Sequence, residues 1–285
     1  MEQYSLLISV YLRCRPDFLN EALDSIYRQT CPPSEIVIVK DGPVTLEMDR
    51  FINMQQQKSG FRLVVIQLER NVGLGDALQA GLQRCSFPIV ARMDSDDIAA
   101  PSRCEKQLRF LQLHRDVDVV GSWIAEFEHD ETQIYAHRIV PTDPIDMARF
   151  AKQRNPLNHM TVMFRRASVL AAGGYVTFHG FEDYYLWIRL LLNGSRLANI
   201  PEYLVNARAG EHQILRRGGL SYALNELRFQ REMLRLGFTN PLEFTVNSVM
   251  RFFIRMLPVL FRRAAYQAIR RIRASGQRRV NMSRS

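Results

Sequence analysis

The stretch IVARMDSDDIAAPSR, residues 89–103, joins an apolar run to three aspartates and then to a proline-led segment. The apolar run is typical of a buried strand, and Pro101 is typical of a first helical turn, where its missing N–H costs nothing. Asp94, Asp96 and Asp97 crowd the junction, although like charges repel and each carboxylate resists losing water. The stretch therefore predicts a strand-to-helix junction whose aspartates either face water or share a cation.

Short apolar runs alternate with helical patterns on both sides of this junction. Strands are predicted at 5–12, 35–42, 62–68, 88–93 and 117–128, with helices at 18–29, 45–57, 73–85 and 101–114. This alternation indicates strand–helix–strand units and an α/β fold with a mainly parallel sheet flanked by helices. Ligands of such sheets bind at the carboxyl ends of the strands. We therefore expect three polar segments that follow strands to converge: Tyr11–Arg13, Lys40–Gly42 and Asp94–Asp97.

The pattern becomes α+β after about residue 130. Helices are predicted near 143–153, 182–194 and 220–236, with a strand at 196–200 and a basic, glycine-flanked loop at 207–219. Beyond residue 240 the chain is rich in arginine and large apolar residues, which predicts amphipathic helices.

The net charge of +9 is concentrated at the end of the chain. Residues 244–285 hold ten arginines and no Asp or Glu, whereas the other 243 residues hold 28 Lys and Arg against 29 Asp and Glu. A polyanionic partner is therefore a question about this tail alone.

The cysteines and the hydropathy pattern predict a cytoplasmic protein. Cys14, Cys31, Cys85 and Cys104 show no metal-binding spacing, so we expect reduced thiols. The N-terminus lacks a basic leader, and no uncharged apolar run reaches the about 18 residues of a spanning helix.

Two acidic clusters are candidates for chemistry. Asp94 and Asp96, two positions apart at a strand end, could hold a hard divalent cation, or could form an acidic turn that caps the next helix. Glu182 and Asp183 open a helix, where acids complement the helix dipole, but they also follow a glycine-rich loop. That placement favours an exposed general base.

Basic and aromatic residues of the second half have both structural and functional interpretations. The 207–219 loop carries Arg208, His212, Arg216 and Arg217, which either form a solvated surface or close over an anionic leaving group. His159 is either a buried hydrogen-bonded histidine or a site residue.

Four motifs in order give the chain a resemblance to a known family. They are DSDDIAAPSRCEKQ, NVGLGDALQAGL, NPLNHMTVMF…AAGGY and FEDYYLWIRLLLNG. Together they resemble the inverting family 2 glycosyltransferases with the GT-A (Rossmann-like) fold, and most closely the bacterial branch that builds O-antigen and exopolysaccharide repeat units. The resemblance covers about residues 4–220.

The resemblance implies a role for each matching position. Ser9, Tyr11 and Asp41 would contact the uracil of a UDP-sugar, and Asp94 with Asp96 would bind the ribose and a Mn²⁺– or Mg²⁺–diphosphate. Asp183 would deprotonate the acceptor hydroxyl. Beside these positions, Glu182, His159 and Gly174 are candidates for supporting or acceptor roles. Arg208, Arg216 and Arg217 of the basic loop are candidates for contacts to the donor.

Two positions depart from the family pattern. Lys40-Asp41-Gly42-Pro43 stands where the family commonly has Asp-Asp-Gly-Ser, and Gln79 replaces a usual asparagine. These departures affect the fine contacts to the donor rather than the reaction class.

The resemblance implies a β-bond-forming hexosyltransferase that uses a UDP-sugar, with galactose or glucose preferred, and an undecaprenyl-diphosphate-linked saccharide acceptor. Residues 1–240 would be catalytic, with 1–128 binding the nucleotide sugar and 129–240 the acceptor. Residues 241–285 would be a basic helical tail. The alternatives are a sugar-phosphate nucleotidyltransferase, which would need a glycine-rich first loop, and a non-enzymatic binder of membranes or nucleic acid.

The tail either packs on the body as a helical pair or lies on a membrane. In the second interpretation its apolar residues enter the acyl boundary and its arginines meet anionic headgroups. Large apolar residues suit lipid better than nucleic acid, so we expect the inner face of the cytoplasmic membrane as the partner and no nucleic acid.

Overall fold

The computed structural model describes residues 2–58, 62–210 and 218–257. The first half alternates strands and helices as predicted. Its elements are β1 (Tyr4–Val10), α1 (Pro16–Tyr27), β2 (Glu35–Lys40), α2 (Leu46–Lys58), β3 (Arg62–Gln67), α3 (Leu74–Arg84) and β4 (Ile89–Arg92).

Parallel pairing around β1 brings the first strand ends together. β1 pairs parallel with β2 on one side and with β4 on the other, with Val10 opposite Lys40 and Leu7 opposite Arg92. Alternate β1 residues face opposite sides of the sheet: Ile8 packs in the layer of α1, and Leu7 in the layer of α3. Both faces are covered, which explains why these strands are apolar almost throughout.

In its described residues, the second half adds three short strands, two long strands and further helices. They are β5 (Ile98–Ala99), α4 (Arg103–Leu113), β6 (Val119–Phe127), β7 (Ala136–Arg138), α5 (Pro144–Ala151), β8 (Met163–Arg165), α6 (Arg166–Ala171), α7 (Glu182–Leu192) and β9 (Leu197–Arg208).

The order of the strands in the sheet departs from chain order after β4. The strands run β3-β2-β1-β4-β8-β6-β9-β5, with β7 beside β6. β8 is antiparallel to both β4 and β6, so the strand predicted at 117–128 does not neighbour β4. The β5, β7 and β8 strands have only two or three residues, too few for a periodic signal in the sequence. The sheet is mixed, with a parallel first half.

Two helices follow the sheet, α8 (Leu220–Arg235) and α9 (Pro241–Met256). Phe229 of α8 stacks on Phe181, the residue before α7, with ring centroids 4.9 Å apart. Asn240 and Glu243 form a capping box at the start of α9, where Pro241 fits the first turn. Within the described residues no helix is long and apolar enough to cross a membrane.

A buried carboxylate joins α8 to α9. Glu226 of α8 is 2% exposed and pairs with Arg251 and Arg255 of α9, with Arg255 Nε 2.6 Å from Glu226 Oε2. Burial alone would raise the pKa of Glu226, but hydrogen bonds from Arg255 and the charge of Arg251 outweigh it and lower that pKa. The pairing stabilises the fold above the usual glutamate pKa of 4.5, and this contribution is lost as the pH falls below it.

We predict that Glu226→Gln lowers the free energy of unfolding by about 3 kcal/mol, because the change removes the buried carboxylate that pairs with both Arg251 and Arg255. Urea unfolding at neutral pH, followed by circular dichroism, measures the loss.

Glu232→Gln on the same helix is the matched control. Glu232 pairs with Arg235 three residues later, whose side chain is 73% exposed, and the Glu232 Oε1 also accepts from the Tyr185 hydroxyl over 3.2 Å, a bond that a glutamine oxygen can keep. Such a pair contributes at most about 1 kcal/mol. Equal losses in the two variants would contradict the role assigned to Glu226.

Candidate active site

The ends of β1, β2 and β4 converge, as the sequence predicted. The Asp41 amide donates to the Val10 carbonyl over 2.8 Å, which joins the ends of β1 and β2. Cys14, in the loop after β1, places its Sγ 3.3 Å from the Ser95 Oγ in the turn after β4. One edge of the sheet therefore carries all three polar segments.

The acidic turn after β4 brings three carboxylates together. Oxygen atoms of Asp94, Asp96 and Asp97 all lie within 4.8 Å of one another. Beneath them lies Arg92, which is 2% exposed and forms an ion pair with Asp94. The buried guanidinium offsets part of the repulsion among the carboxylates.

Burial and crowding raise the pKa values of two of these aspartates. Desolvation, followed by the Asp94 charge, raises the pKa of Asp96 to about 6. The same two causes raise the pKa of Asp97, joined by the charge of Asp96. A cation at this position would favour the ionised forms of both groups.

Arg208 is the last residue of strand β9, whereas the sequence predicted it in the basic loop. From the end of β9 it contacts the acidic turn. Its amide donates to Asp97 Oδ1 over 2.9 Å, and its Nε donates to the Asp96 carbonyl over 3.2 Å. Its guanidinium also pairs with Glu21 and stacks on Phe18, 3.9 Å from the ring centroid. Since these contacts engage the guanidinium, Arg208 holds the turn together.

The predicted uracil contacts lie at the same edge. Ser9 is half-buried near the end of β1, and Tyr11 is 41% exposed just beyond it. Asp41 accepts hydrogen bonds from the Val72 and Gly73 amides over 2.7 and 3.1 Å.

Neighbours of Asp41 limit what it can bind. Asn71 donates to its second oxygen over 3.0 Å, so three of about four acceptor positions on the carboxylate are occupied. Lys40 points away from this cluster to Asp49, 2.8 Å away. A uracil contact by Asp41 stays a prediction.

Asp183 lies in the first turn of α7, half-buried. Asn155 donates to its Oδ2 over 2.6 Å, while the Asn155 Oδ1 accepts from the Leu157 amide over 3.2 Å. The asparagine amide is thus fixed at both ends, and it fixes one oxygen of the carboxylate.

Glu182 faces the loop before α7. Its Oε1 accepts from the Gly180 amide over 3.1 Å, and burial raises its pKa. A side chain on Gly75 of α3 would meet the Glu182 Cγ at 3.2 Å. Glu182 therefore closes the helix start against α3, whereas Asp183 is held by Asn155.

Gly174 is required by close packing. Its φ is +66°, and a Cβ there would lie 2.1 Å from the Gln79 Oε1. That same oxygen accepts from the Tyr175 amide over 2.8 Å. Gln79, the residue that departs from the family pattern, thus anchors the Gly-rich loop to α3.

His159 and Tyr175 lie between the two acidic clusters. His159 Nε2 is 3.0 Å from the Tyr175 hydroxyl. Burial and then the Arg92 charge lower the pKa of His159 well below its usual value, which keeps the ring neutral. Burial raises the pKa of Tyr175, and the charges of both Asp183 and Asp94 act in the same direction. The charges of both acidic clusters therefore act on the Tyr175 phenol, and His159 is a buried hydrogen-bonded histidine beside them.

The donor set fits a hard divalent cation. The described residues offer three carboxylates at one point, and Asp97 Oδ2 is buried with no hydrogen-bond partner among them. Carboxylate oxygens are the ligands that Mg²⁺ and Mn²⁺ prefer.

Sequence analysis missed two residues of this site, and others lie outside the structure. Arg92 was hidden as a single charge inside the apolar run, and Asn155 as the first residue of NPLNHMTVMF. His212, Arg216 and Arg217 lie outside the described residues, as does the tail beyond 257.

Comparison with known proteins identifies the family. The pattern of the family described as "Glycosyl transferase family 2" matches residues 5–171. The UDP-Gal:alpha-D-GlcNAc-diphosphoundecaprenol beta-1,3-galactosyltransferase of Escherichia coli is 36% identical over 94% of this chain and 96% of that enzyme. The amylovoran biosynthesis glycosyltransferase AmsE of Erwinia amylovora is 37% identical over 94% of this chain and 99% of that protein.

A solved structure shares the fold. The mannosyltransferase PcManGT from Pyrobaculum calidifontis, in complex with GDP-Man and Mn²⁺, superposes with a TM-score of 0.64 and 16% identity. The match covers 94% of this chain and 80% of that one. The family pattern spans more than half of the sequence, and two relatives match over nearly their whole length. The chain therefore belongs to glycosyl transferase family 2 and is a glycosyltransferase of GT-A fold.

Proposed function

We propose that this glycosyltransferase moves a hexose, galactose or glucose, from a UDP-sugar to a lipid-diphosphate-linked saccharide and forms a β-glycosidic bond. The observation that carries the proposal is the pairing of an acidic turn at a sheet edge with a separately held Asp183 carboxylate. The E. coli relative, whose name specifies UDP-Gal and a diphosphoundecaprenol acceptor, supports this choice of substrates. Family membership also argues against the nucleotidyltransferase and non-enzymatic alternatives.

The proposed reaction is one direct displacement. The acceptor oxygen attacks the anomeric carbon from the face opposite the diphosphate, and the Asp183 carboxylate takes the hydroxyl proton. The bond between the anomeric carbon and the diphosphate oxygen breaks, and UDP leaves with the electron pair. Because attack and departure occur on opposite faces, an α-linked donor gives a β-linked product.

Asn155 defines how Asp183 would act. It occupies Oδ2, and we assign Oδ1 to the acceptor hydroxyl. A carboxylate held in this way cannot rotate, so its free oxygen keeps one direction toward the acceptor.

Asp94 and Asp96 would hold a Mn²⁺ or Mg²⁺ ion, which supplies positive charge against the diphosphate when bound. Arg92 and Arg208 fix the turn that carries these ligands. We also propose that the enzyme works at the inner face of the cytoplasmic membrane, where a lipid-diphosphate acceptor resides, within O-antigen or exopolysaccharide synthesis.

A donor screen tests the substrates. Purified enzyme is given UDP-galactose, UDP-glucose or UDP-GlcNAc with a synthetic lipid-diphosphate sugar, and the product anomer is read by NMR. Transfer of galactose or glucose with a β product is expected. An α product, or transfer from UDP-GlcNAc alone, would contradict the proposal.

We predict that Asp96→Ala reduces turnover by a factor on the order of 10³ or more, because the cation that would neutralise the leaving diphosphate loses a carboxylate ligand. Asp116→Ala, which removes an exposed surface aspartate, is the control and keeps its activity. EDTA treatment should reproduce the loss, and added Mn²⁺ should restore it. Undiminished turnover in EDTA would remove the metal from the mechanism.

We predict that Asp183→Asn lowers kcat by a factor on the order of 10²–10⁴ and changes UDP affinity little, the size expected for loss of a general base. Steady-state kinetics and UDP calorimetry measure the two quantities. Glu182→Gln should be much milder, because Glu182 closes the helix start. If UDP binding fell as far as turnover, Asp183 would instead organise the donor site.

We predict that Asn155→Ala lowers kcat about tenfold and leaves the KM for the UDP-sugar nearly unchanged, because the Asp183 carboxylate loses the hydrogen bond that fixes its direction toward the acceptor. Steady-state kinetics and thermal unfolding of the same preparation measure the effect. A purely structural role for Asn155 would lower the unfolding midpoint and leave the kcat of the folded protein unchanged.

A further inference from the structure

Helix α9 carries its polar side chains toward the protein body. Asn247 is 4% exposed and donates to the Lys152 carbonyl over 2.8 Å. Four residues on, Arg251 binds Glu226 and the Gln153 carbonyl, and Arg255 follows at the same spacing with Glu226 as partner. These three residues form one stripe of the helix, and every one of them has a partner on the body.

The opposite side of α9 is apolar and exposed. Six large side chains recur at steps of one, three and four residues, which places them on one face of a helix. Each is between 45% and 73% exposed. We call this face the apolar ridge; it consists of Leu242, Val246, Val249, Met250, Phe253 and Met256.

This orientation reverses the usual one. An amphipathic helix on a globular domain buries its apolar stripe and exposes its polar stripe. Here the buried carboxylate of Glu226 draws two arginines inward, which turns the ridge outward. A contiguous exposed apolar face on a folded protein indicates a surface that binds another protein or a membrane.

Helix α8 extends the exposed apolar surface. Leu220, Leu224 and Leu227 are 39% to 56% exposed. They lie in the half of α8 that runs beside the C-terminal half of α9, since the Gly219 amide donates to the Arg255 carbonyl over 3.2 Å.

Charge identifies what covers the ridge. The chain continues from Leu257 for 28 residues that hold eight arginines and no Asp or Glu. On the neighbouring helix Arg228, Arg231 and Arg235 are exposed. If a second copy docked on this face, the arginines of the two copies would repel each other. If the basic tail folded over it, the tail arginines would be repelled by those of α8. Anionic lipid is the covering body that both the apolar ridge and the surrounding arginines favour.

We infer that the apolar ridge docks in the surface of a bilayer that contains anionic lipid, with α9 lying in the plane of the interface. This inference rests on the proposed peripheral location and adds the face that makes the contact. It also corrects the expectation that Arg251 and Arg255 meet headgroups, because both are bound to Glu226.

Vesicle cosedimentation with the full chain tests the ridge. The vesicles contain phosphatidylcholine alone or with phosphatidylglycerol. Leu242→Glu and Phe253→Glu place a carboxylate on the ridge, at positions 73% and 67% exposed. The matched control is Leu113→Glu at the end of α4, where the leucine is 71% exposed. All three variants make the same charge change at a solvated position, so none disturbs the core.

The wild type and Leu113→Glu are expected to bind phosphatidylglycerol vesicles alike, and each ridge variant at least about tenfold more weakly, because a carboxylate replaces an apolar group that enters the interface. Binding of Leu242→Glu at the wild-type level would overturn the assigned face and leave the peripheral location standing. Failure of the wild type to bind any vesicle would overturn both. Neither outcome bears on sugar transfer, which the donor screen with the synthetic acceptor reports separately.

Analytical ultracentrifugation distinguishes a second copy from lipid. The wild type is expected to sediment identically to Leu242→Glu in the absence of vesicles. A lipid-free dimer that Leu242→Glu dissociates would overturn the proposal and assign the ridge to self-association.

Discussion

The fully buried Arg92 guanidinium beneath the acidic turn is the interaction on which the site depends. Three carboxylates within four residues would otherwise repel one another at the end of β4. Arg92 pairs with Asp94, while Arg103 donates to the Arg92 carbonyl over 2.6 Å and so fixes the strand end itself. Two nitrogens of Arg92 have no hydrogen-bond partner among the described residues, so the ion pair with Asp94 in the acidic turn is the main contact of its guanidinium.

Arg208 applies the same principle from a distant part of the chain. It ends β9, whose contacts with Asp96 and Asp97 tie the second half of the protein to the first. Its guanidinium lies between the rings of Phe18 and Phe127, so α1 and β6 share in holding it. A cation–aromatic sandwich of this kind keeps the arginine in place while its N–H groups bind carbonyls. The acidic turn is thus braced from both halves of the fold.

The sequence predicted the parallel half of the fold because long apolar strands and amphipathic helices leave clear periodic signals. It did not predict β8, whose three residues pair with β4 and β6 through contacts distant in the chain. Within the site, acidic residues at strand ends were found because their positions are local properties of the chain. Asn155 was missed because its role arises only when a loop meets the start of α7, 28 residues later.

The direction of α9 could not be predicted for the same reason. The amphipathic pattern of α9 was visible in the sequence, but the spacing of polar and apolar residues does not determine which face of the helix packs on the body. That choice depends on Glu226, which lies on a different helix and is itself an ordinary acidic residue within an amphipathic pattern.

The link between Glu226 and α9 also affects how the chain can be shortened. A boundary at residue 240, where the sequence predicts that the catalytic region ends, would remove Arg251 and Arg255 and leave the Glu226 carboxylate without these two ion-pair partners. Phe229, one helical turn from Glu226, stacks on Phe181 beside Asp183, so the damage would reach the reactive end of α7. A recombinant form trimmed after Leu257 keeps both arginines, and helix exchange between relatives has to move α8 and α9 together.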